Sequence, residues 1–309
     1  MLWGQIKTLF ILCFLILDII LLQHYINDPI DTLEDLQVNV KNNVNGLEHI
    51  PEEYPAEAER LYAQRREFTN AEKEEISSLS NQRNLIIEDH LIISQLEDPL
   101  KIDIDEDAKA LSEYVWHFGD YNYFGKDEAT NTYIFFQSLE RPVYFNSSGV
   151  LLVQVNENGE ATHYVQTILE KSKDVPQSEA EEINTPIEAL NGLYSSSSSY
   201  IESGDEVTED VKLGYQNLVP LPKNVQVLAP TWGFVVNGDK YYYVNAVEGH
   251  LTSRNTSDFI TEMKTQVNQF FSADSKTVMQ VSDEEWEQKD IMNFIQQLFV
   301  KTEETNGVE

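Results

Sequence analysis

Few residues in this chain stand at spacings that could do chemistry. Asp103-x-Asp105-x-Asp107 opens like a calcium loop, in which carboxylates at alternate positions reach one cation. That loop also needs glycine at its sixth position and glutamate at its twelfth, and Ala108 and Tyr114 stand there instead. An acid-rich helix N-terminus is the better reading. The histidines, His24, His49, His90, His117, His163 and His250, form no H-x-x-x-H or H-x-x-E-H pair, so no zinc motif is present. There is no Gly-x-Ser-x-Gly elbow, P-loop or dinucleotide fingerprint. A Ser–His–Asp triad is spatial and stays open. Asn146-Ser147-Ser148 and Asn255-Thr256-Ser257 match glycosylation acceptors. The acidic pairs Glu209-Asp210 and Glu284-Glu285 read as solvated faces. The expectation is a protein with no catalytic residues, no metal and no cofactor.

Asp18 stands apart from these. From Leu9 to Leu22 it is the one residue that is not apolar. With its flanks from Trp3 to Ile26, this run makes about 24 residues, or roughly 36 Å as an α-helix. A bilayer core is about 30 Å thick, so the segment reads as a transmembrane helix. A carboxylate at its centre costs about 2.5–3.5 kcal/mol on insertion scales. Protonation, snorkelling or a polar partner on another helix would reduce that cost. Ile11, Phe14, Leu15, Leu21, Leu22 and Tyr25 share the face of Asp18, and this face is the expected partner-binding surface. The alternative is that Asp18 sits off-centre and points to the outer interface. Trp3 and Tyr25 fall at opposite ends, where aromatic anchors sit.

Other flanking features fix the kind of segment. Gln23-His24-Tyr25-Ile26-Asn27-Asp28 offers no small-residue cleavage site, so the helix reads as an uncleaved anchor. The single cysteine, Cys13, lies inside the run, and Leu2 is not the glycine that myristoylation requires. Lys7 precedes the run, whereas Asp28, Asp31, Glu34 and Asp35 follow it. The positive-inside rule then places the N-terminus in the cytoplasm and the bulk outside the cell.

The whole chain has 309 residues and a net charge of −32, from 53 acids against 21 bases. A surface so acidic repels nucleic acid and anionic lipid head groups. Hydrophobic residues at 41 % and aromatics at 11 % are enough to build packed cores. With no cysteine beyond Cys13, the rest of the chain holds itself together without disulfides.

The pattern predicts an α+β protein: the transmembrane helix (1–27), a juxtamembrane helix or stalk (28–58), and two tandem antiparallel-sheet-plus-helix domains (59–170 and 171–255). An acidic, partly helical C-terminal extension (256–309) follows, disordered from Lys301. In the stalk, Leu33, Leu36, Val40, Val44 and Leu47 recur at helical spacing. Segments 60–69 and 84–96 each read as a strand. Ala108, Leu111, Val115 and Phe118 predict a helix over 105–118. The meander 131–139, 143–145, 150–155 and 160–168 turns at Asn146–Gly149 and Asn156–Gly159. In the second domain a helix starts at Pro186, and strands 225–229, 232–236 and 240–246 follow, the last two joined by Asn237-Gly238-Asp239. The extension carries two apolar faces, Phe259-Met263-Val267-Phe270 and Ile291-Ile295-Leu298-Phe299, suited to docking or to a mobile tail.

Several of these residues resemble a known family. The start Trp3-x-x-x-Lys7-Thr8-x-Phe10-Ile11-x-x-Phe14-Leu15-x-Leu17-Asp18 is similar to the N-terminus of the YycI (WalI) family. So are Leu213-Gly214-Tyr215, Pro230-Thr231-Trp232 and Tyr241-Tyr242-Tyr243-Val244-Asn245-Ala246-x-x-Gly249. The hairpin part is shared in style with PepSY-like domains, and the tail from Thr256 is longer than the family pattern. The resemblance implies a non-enzymatic, membrane-anchored regulator of the sensor histidine kinase WalK (YycG) in low-GC Gram-positive bacteria. It would act with a YycH-like partner through contacts between transmembrane helices, and so adjust control of cell-wall metabolism. The alternative class is a PepSY-like extracellular inhibitor or a surface-enzyme-associated module.

Overall fold

The computed structural model describes residues 2–27, 40–104, 108–173, 175–176, 178–196, 200–220, 225–271, 279–282 and 286–299. Beyond the N-terminal helix α1 (Leu2–Asn27), the chain builds two antiparallel sheets and a short two-stranded ribbon. In the first sheet the strands run β16 (Met279–Val281), β3 (Gln82–Ile87), β4 (Leu91–Lys101), β9 (Glu160–Thr167), β8 (Val150–Val155), β6 (Thr132–Leu139) and β5 (Tyr121–Asp127). The short β7 (Arg141–Pro142) pairs with the end of β6.

Strand alternation sends side chains to two cores, because successive residues of a strand point to opposite faces. Leu85, Ile87, Leu91, Ile93, Val150 and Leu152 enter one core; Ile86, Ile92, Leu151 and Val153 enter the other. Both faces are therefore apolar, and both are covered. The first is covered by α4 (Thr256–Phe270) and α5 (Gln288–Gln297), through Phe259, Met263, Val267, Ile291 and Ile295. The second is covered by α2 (Asn70–Ser77), through Ile76, and by the segment holding Leu111, Val115 and Trp116.

The second sheet runs β10 (Leu169–Lys171), β2 (Leu61–Arg65), β13 (Val225–Val236), β14 (Lys240–Asn245) and β15 (Leu251–Arg254), with β12 (Lys212–Pro220) on the other side of β13. Trp232, Phe234, Val236, Tyr242 and Val244 pack under α3 (Pro186–Ser195), whose first turn is closed by a Thr185–Glu188 capping box. β1 (Glu57–Glu59) pairs with β11 (Ala180–Glu182) in the ribbon.

Several expectations are corrected. The two tandem units over 59–170 and 171–255 do not hold, because the chain exchanges segments between the sheets. β2, from the start of the first range, pairs with β13 of the second sheet. The stretch 256–299, expected as an extension, supplies α4, α5 and edge strand β16 to the first sheet. The stalk reading fails at its described end: Val40 and Val44 are buried in the core of the second sheet. Leu33 and Leu36, and the segment from Lys301, lie outside the described residues.

Segment 84–96 is a hairpin rather than one strand. Glu88 and Asp89 turn it with φ of 50° and 56°, a left-handed conformation that apolar periodicity does not announce. The helix expected over 105–118 is a 3-10 turn at Lys109–Glu113; its apolar residues are buried together as expected, but in tighter coils. Segments 225–229 and 232–236 form one strand across Pro230. β2 pairs with β13 up to Leu228 and β14 pairs from Thr231, so the proline falls between two partners where its missing N–H is not needed.

Candidate interaction surfaces

α1 is built from straight-chain and branched aliphatic residues with no glycine or proline after Gly4, so nothing interrupts its 26 residues. Its described apolar side chains touch none of the cores. Phe10 is 64 % exposed, Ile16 49 % and Ile20 59 %. Of the expected face, Ile11, Phe14, Leu15, Asp18, Leu21 and Leu22 are all exposed, and the side chain of Tyr25 lies outside the described residues. The opposite side, with Leu12, Ile16 and Ile20, is equally bare. Exposure therefore does not single out the Asp18 face; only the carboxylate itself does. Counting residues whose side chains are described, no helix is long and apolar enough to cross a membrane. In α1 that stretch, Phe10 to Gln23, covers roughly 21 Å.

A second surface lies where the two sheets meet. β5 ends the first sheet and β12 flanks the second, and between them opens a cleft of about 850 Å³. Phe118, Tyr123, Phe124, Tyr144 and Tyr243 line it, with Glu209, Asp210, Lys109 and Lys212 among its polar groups. Burial pushes the Tyr123 hydroxyl up to about 12, and raises Tyr144 and Tyr243 as well, so these phenols are neutral at physiological pH.

The junction beneath this cleft explains two of the quoted motifs. Tyr144 N donates to Tyr215 O at 2.8 Å, tying the first sheet to β12. A Cβ on Gly214 would stand 2.3 Å from the Tyr144 ring, so only glycine lets the strand approach it. In Tyr241-Tyr242-Tyr243-Val244, Tyr241 and Tyr243 turn to the aromatic cluster of Phe124, Tyr144 and Phe145, while Tyr242 and Val244 face α3.

The other sequence candidates are placed plainly. Among the described residues no group of His, Cys, Asp and Glu could hold a metal. Asp105 and Asp107 lie outside the described residues. Asn146 is buried and donates to Gln226, and Asn255 caps α4 by accepting from Ser257 N and Asp258 N, so both glycosylation matches already have structural work. His49 meets Asp210 at 3.0 Å, and His117 meets Asp120 at 3.7 Å. His163 is half-buried between Gln154 and Phe294, and desolvation pushes it down to about 4. Sequence reasoning missed the Tyr144 junction and a cluster around Arg65; Gly214 beside Tyr215 was the available sign of the first.

A family profile described as YycI protein matches residues 27–247. No curated protein matches the chain. Among solved structures, an uncharacterized protein from Eubacterium rectale shares 13 % identity and a TM-score of 0.41, over 68 % of this chain and 88 % of that one. The profile spans well over half of the sequence and includes the Leu213-Gly214-Tyr215 motif and Tyr241–Ala246 of the hairpin motif, and on that match the chain belongs to the YycI family.

Proposed function

We propose that this protein regulates its sensor kinase through α1, seated in the cell membrane as a single span with its N-terminus in the cytoplasm and the two sheets outside. Membership of the family implies a regulator of the WalK/YycG two-component system, and the family is not a known enzyme family. The observation that carries the finer reading is the bare apolar surface of α1. Its described aliphatic side chains are exposed on every side, and no part of the folded body covers them. A helix apolar all round is stable in lipid or within a bundle of other helices, not in water. Lys7 before the run and the acidic residues after it support the orientation.

In this reading the kinase's transmembrane helices and that of a YycH-like protein pack against α1, with Asp18 as the polar contact and Ile11, Phe14, Leu15, Leu21, Leu22 and Tyr25 around it. A change outside the membrane acts on the kinase only by favouring one arrangement of this helix bundle over another. The test is to replace residues 1–27 with an unrelated single-span anchor. Kinase output and co-purification with the kinase should both fall. Unchanged output together with an intact complex would move the function to the extracellular body.

A further inference from the structure

A small cavity sits where three parts of the fold meet. β2 of the second sheet contributes Arg65, the β3–β4 turn of the first sheet contributes His90, the turn after Phe145 contributes Ser147, and α4 contributes Gln266. Its volume is about 20 Å³, room for one water-sized occupant.

Its chemistry is lopsided toward donors. Arg65 Nε and Nη2 both donate to Ser148 Oγ, at 3.3 and 3.2 Å, and Gln226 Nε2 donates to the same oxygen at 3.0 Å. A hydroxyl has two lone pairs, so three donors crowd one neutral acceptor. Arg65 Nη1 lies 2.9 Å from His90 Nε2. His90 Nδ1 stands 2.6 Å from the Glu88 carbonyl, which can only accept. The Nδ1 therefore carries the proton, and Nε2 accepts from Arg65. Gln266 Nε2 donates to Ser147 Oγ at 3.2 Å.

Among the described residues no carboxylate lines the cavity, and none is paired with Arg65. Glu88 acts on His90 through its carbonyl and its charge, Glu67 acts through its charge, and the Glu262 carboxylate stands 3.5 Å from Gln266 Nε2 at the rim. This is unusual in a chain with 53 acids and 21 bases, where a partly buried guanidinium has many carboxylates to draw on. Burial lowers Arg65 and no charged neighbour offsets it, while the Arg65 charge adds to the burial that lowers His90. A fixed positive charge with surplus N–H donors and too few acceptors is an anion site.

We infer that this cavity, among Arg65, His90, Ser147 and Gln266, binds one small monoanion of the chloride class. One halide-sized ion fills that volume, whereas a phosphate or a peptide carboxylate would leave most of its atoms outside. The anion joins the two sheets and α4 at one point, so its binding stabilises the junction between them.

The test uses the full chain in detergent micelles, melted by circular dichroism in sodium chloride and in sodium gluconate at equal ionic strength and pH. Chloride should raise the midpoint by on the order of 3 °C, since a ligand that binds only the folded state stabilises it by mass action. Arg65→Gln should abolish the difference between the salts. Equal midpoints for the unchanged chain, or a difference that persists in R65Q, would overturn the proposal. Should R65Q not fold, crystals of the unchanged chain grown in sodium bromide decide it. An anomalous bromide peak beside the Arg65 guanidinium supports the site, and a water there with no anomalous signal overturns it.

Discussion

α1 and α4 are both rich in apolar residues, yet they meet opposite fates. In α4, Phe259, Ile260, Met263 and Val267 fall on one side and are buried on the first sheet, while Glu262, Thr265 and Gln269 stay outside. In α1, apolar residues cover every side and none of those described is buried. One-sided patterning suits a helix to a protein surface with water behind it; all-round patterning leaves no side for water. The helix that belongs to the fold and the helix proposed to belong to the membrane are thus separated by pattern rather than by apolar content.

The sharpest way to break this contrast is to weaken the docked helix. The Phe259 ring lies 5.9 Å from Phe136 and 5.4 Å from Phe145, buried in the core of the first sheet. Phe259→Ala should cost about 3–5 kcal/mol in urea unfolding. A cost below about 1 kcal/mol would mean that α4 is not integral to the fold.

The docking of α5 carries a pH dependence of slightly smaller size. Gln154 Oε1 accepts from His163 Nε2 and from Phe299 N, and the His163 ring packs on Phe294. Burial holds His163 near 4, below its ordinary 6.5. Between those values the unfolded chain binds a proton that the folded one refuses, so stability falls as pH drops from 6.5 to 4. The full effect is about 3 kcal/mol. His163→Gln, measured by urea unfolding at pH 7 and pH 4.5, should lose less on acidification than the unchanged chain by about 2 kcal/mol.

What could be read in the sequence follows the same division. The apolar faces of α4 and α5, the start of α3 at Pro186 and the β13–β14 hairpin at Asn237-Gly238 were legible, because periodicity and turn chemistry act locally. That the tail covers the first sheet, and that β2 crosses to the second, were not, since sheet partners are chosen by long-range pairing. Leu85, Ile87, Leu91 and Ile93 predict a buried strand equally well with or without the turn at Glu88 and Asp89. Of the site, the apolar run and Asp18 were plain, whereas Arg65, His90 and Ser147 lie too far apart in sequence to suggest one another.

A helix held mainly by burial should feel its cap only modestly. Thr185 Oγ1 accepts from Glu188 N at 3.2 Å, and the Glu188 carboxylate accepts from Thr185 N at 2.7 Å. Thr185→Ala should cost about 1 kcal/mol, well under the loss of Phe259. A larger loss would mean that α3 depends on its first turn more than on Leu190 and Leu193, which are buried against the second sheet.

The smallest effect on folding, and the one that separates the two helices most cleanly, belongs to Asp18. If α1 takes no part in the folded body, Asp18→Leu should leave urea unfolding of the sheets within about 0.5 kcal/mol. The same change removes the one carboxylate from the run, so insertion of α1 into lipid should become easier. Association with the kinase should nevertheless weaken, because the polar contact between helices is gone while greasy surface remains. Co-purification from membranes reads this directly. Weaker association at unchanged body stability assigns Asp18 to a partner. Equal or stronger association leaves Asp18 as a residue that merely tolerates the interface, and the specificity of α1 would then rest on its packing shape alone.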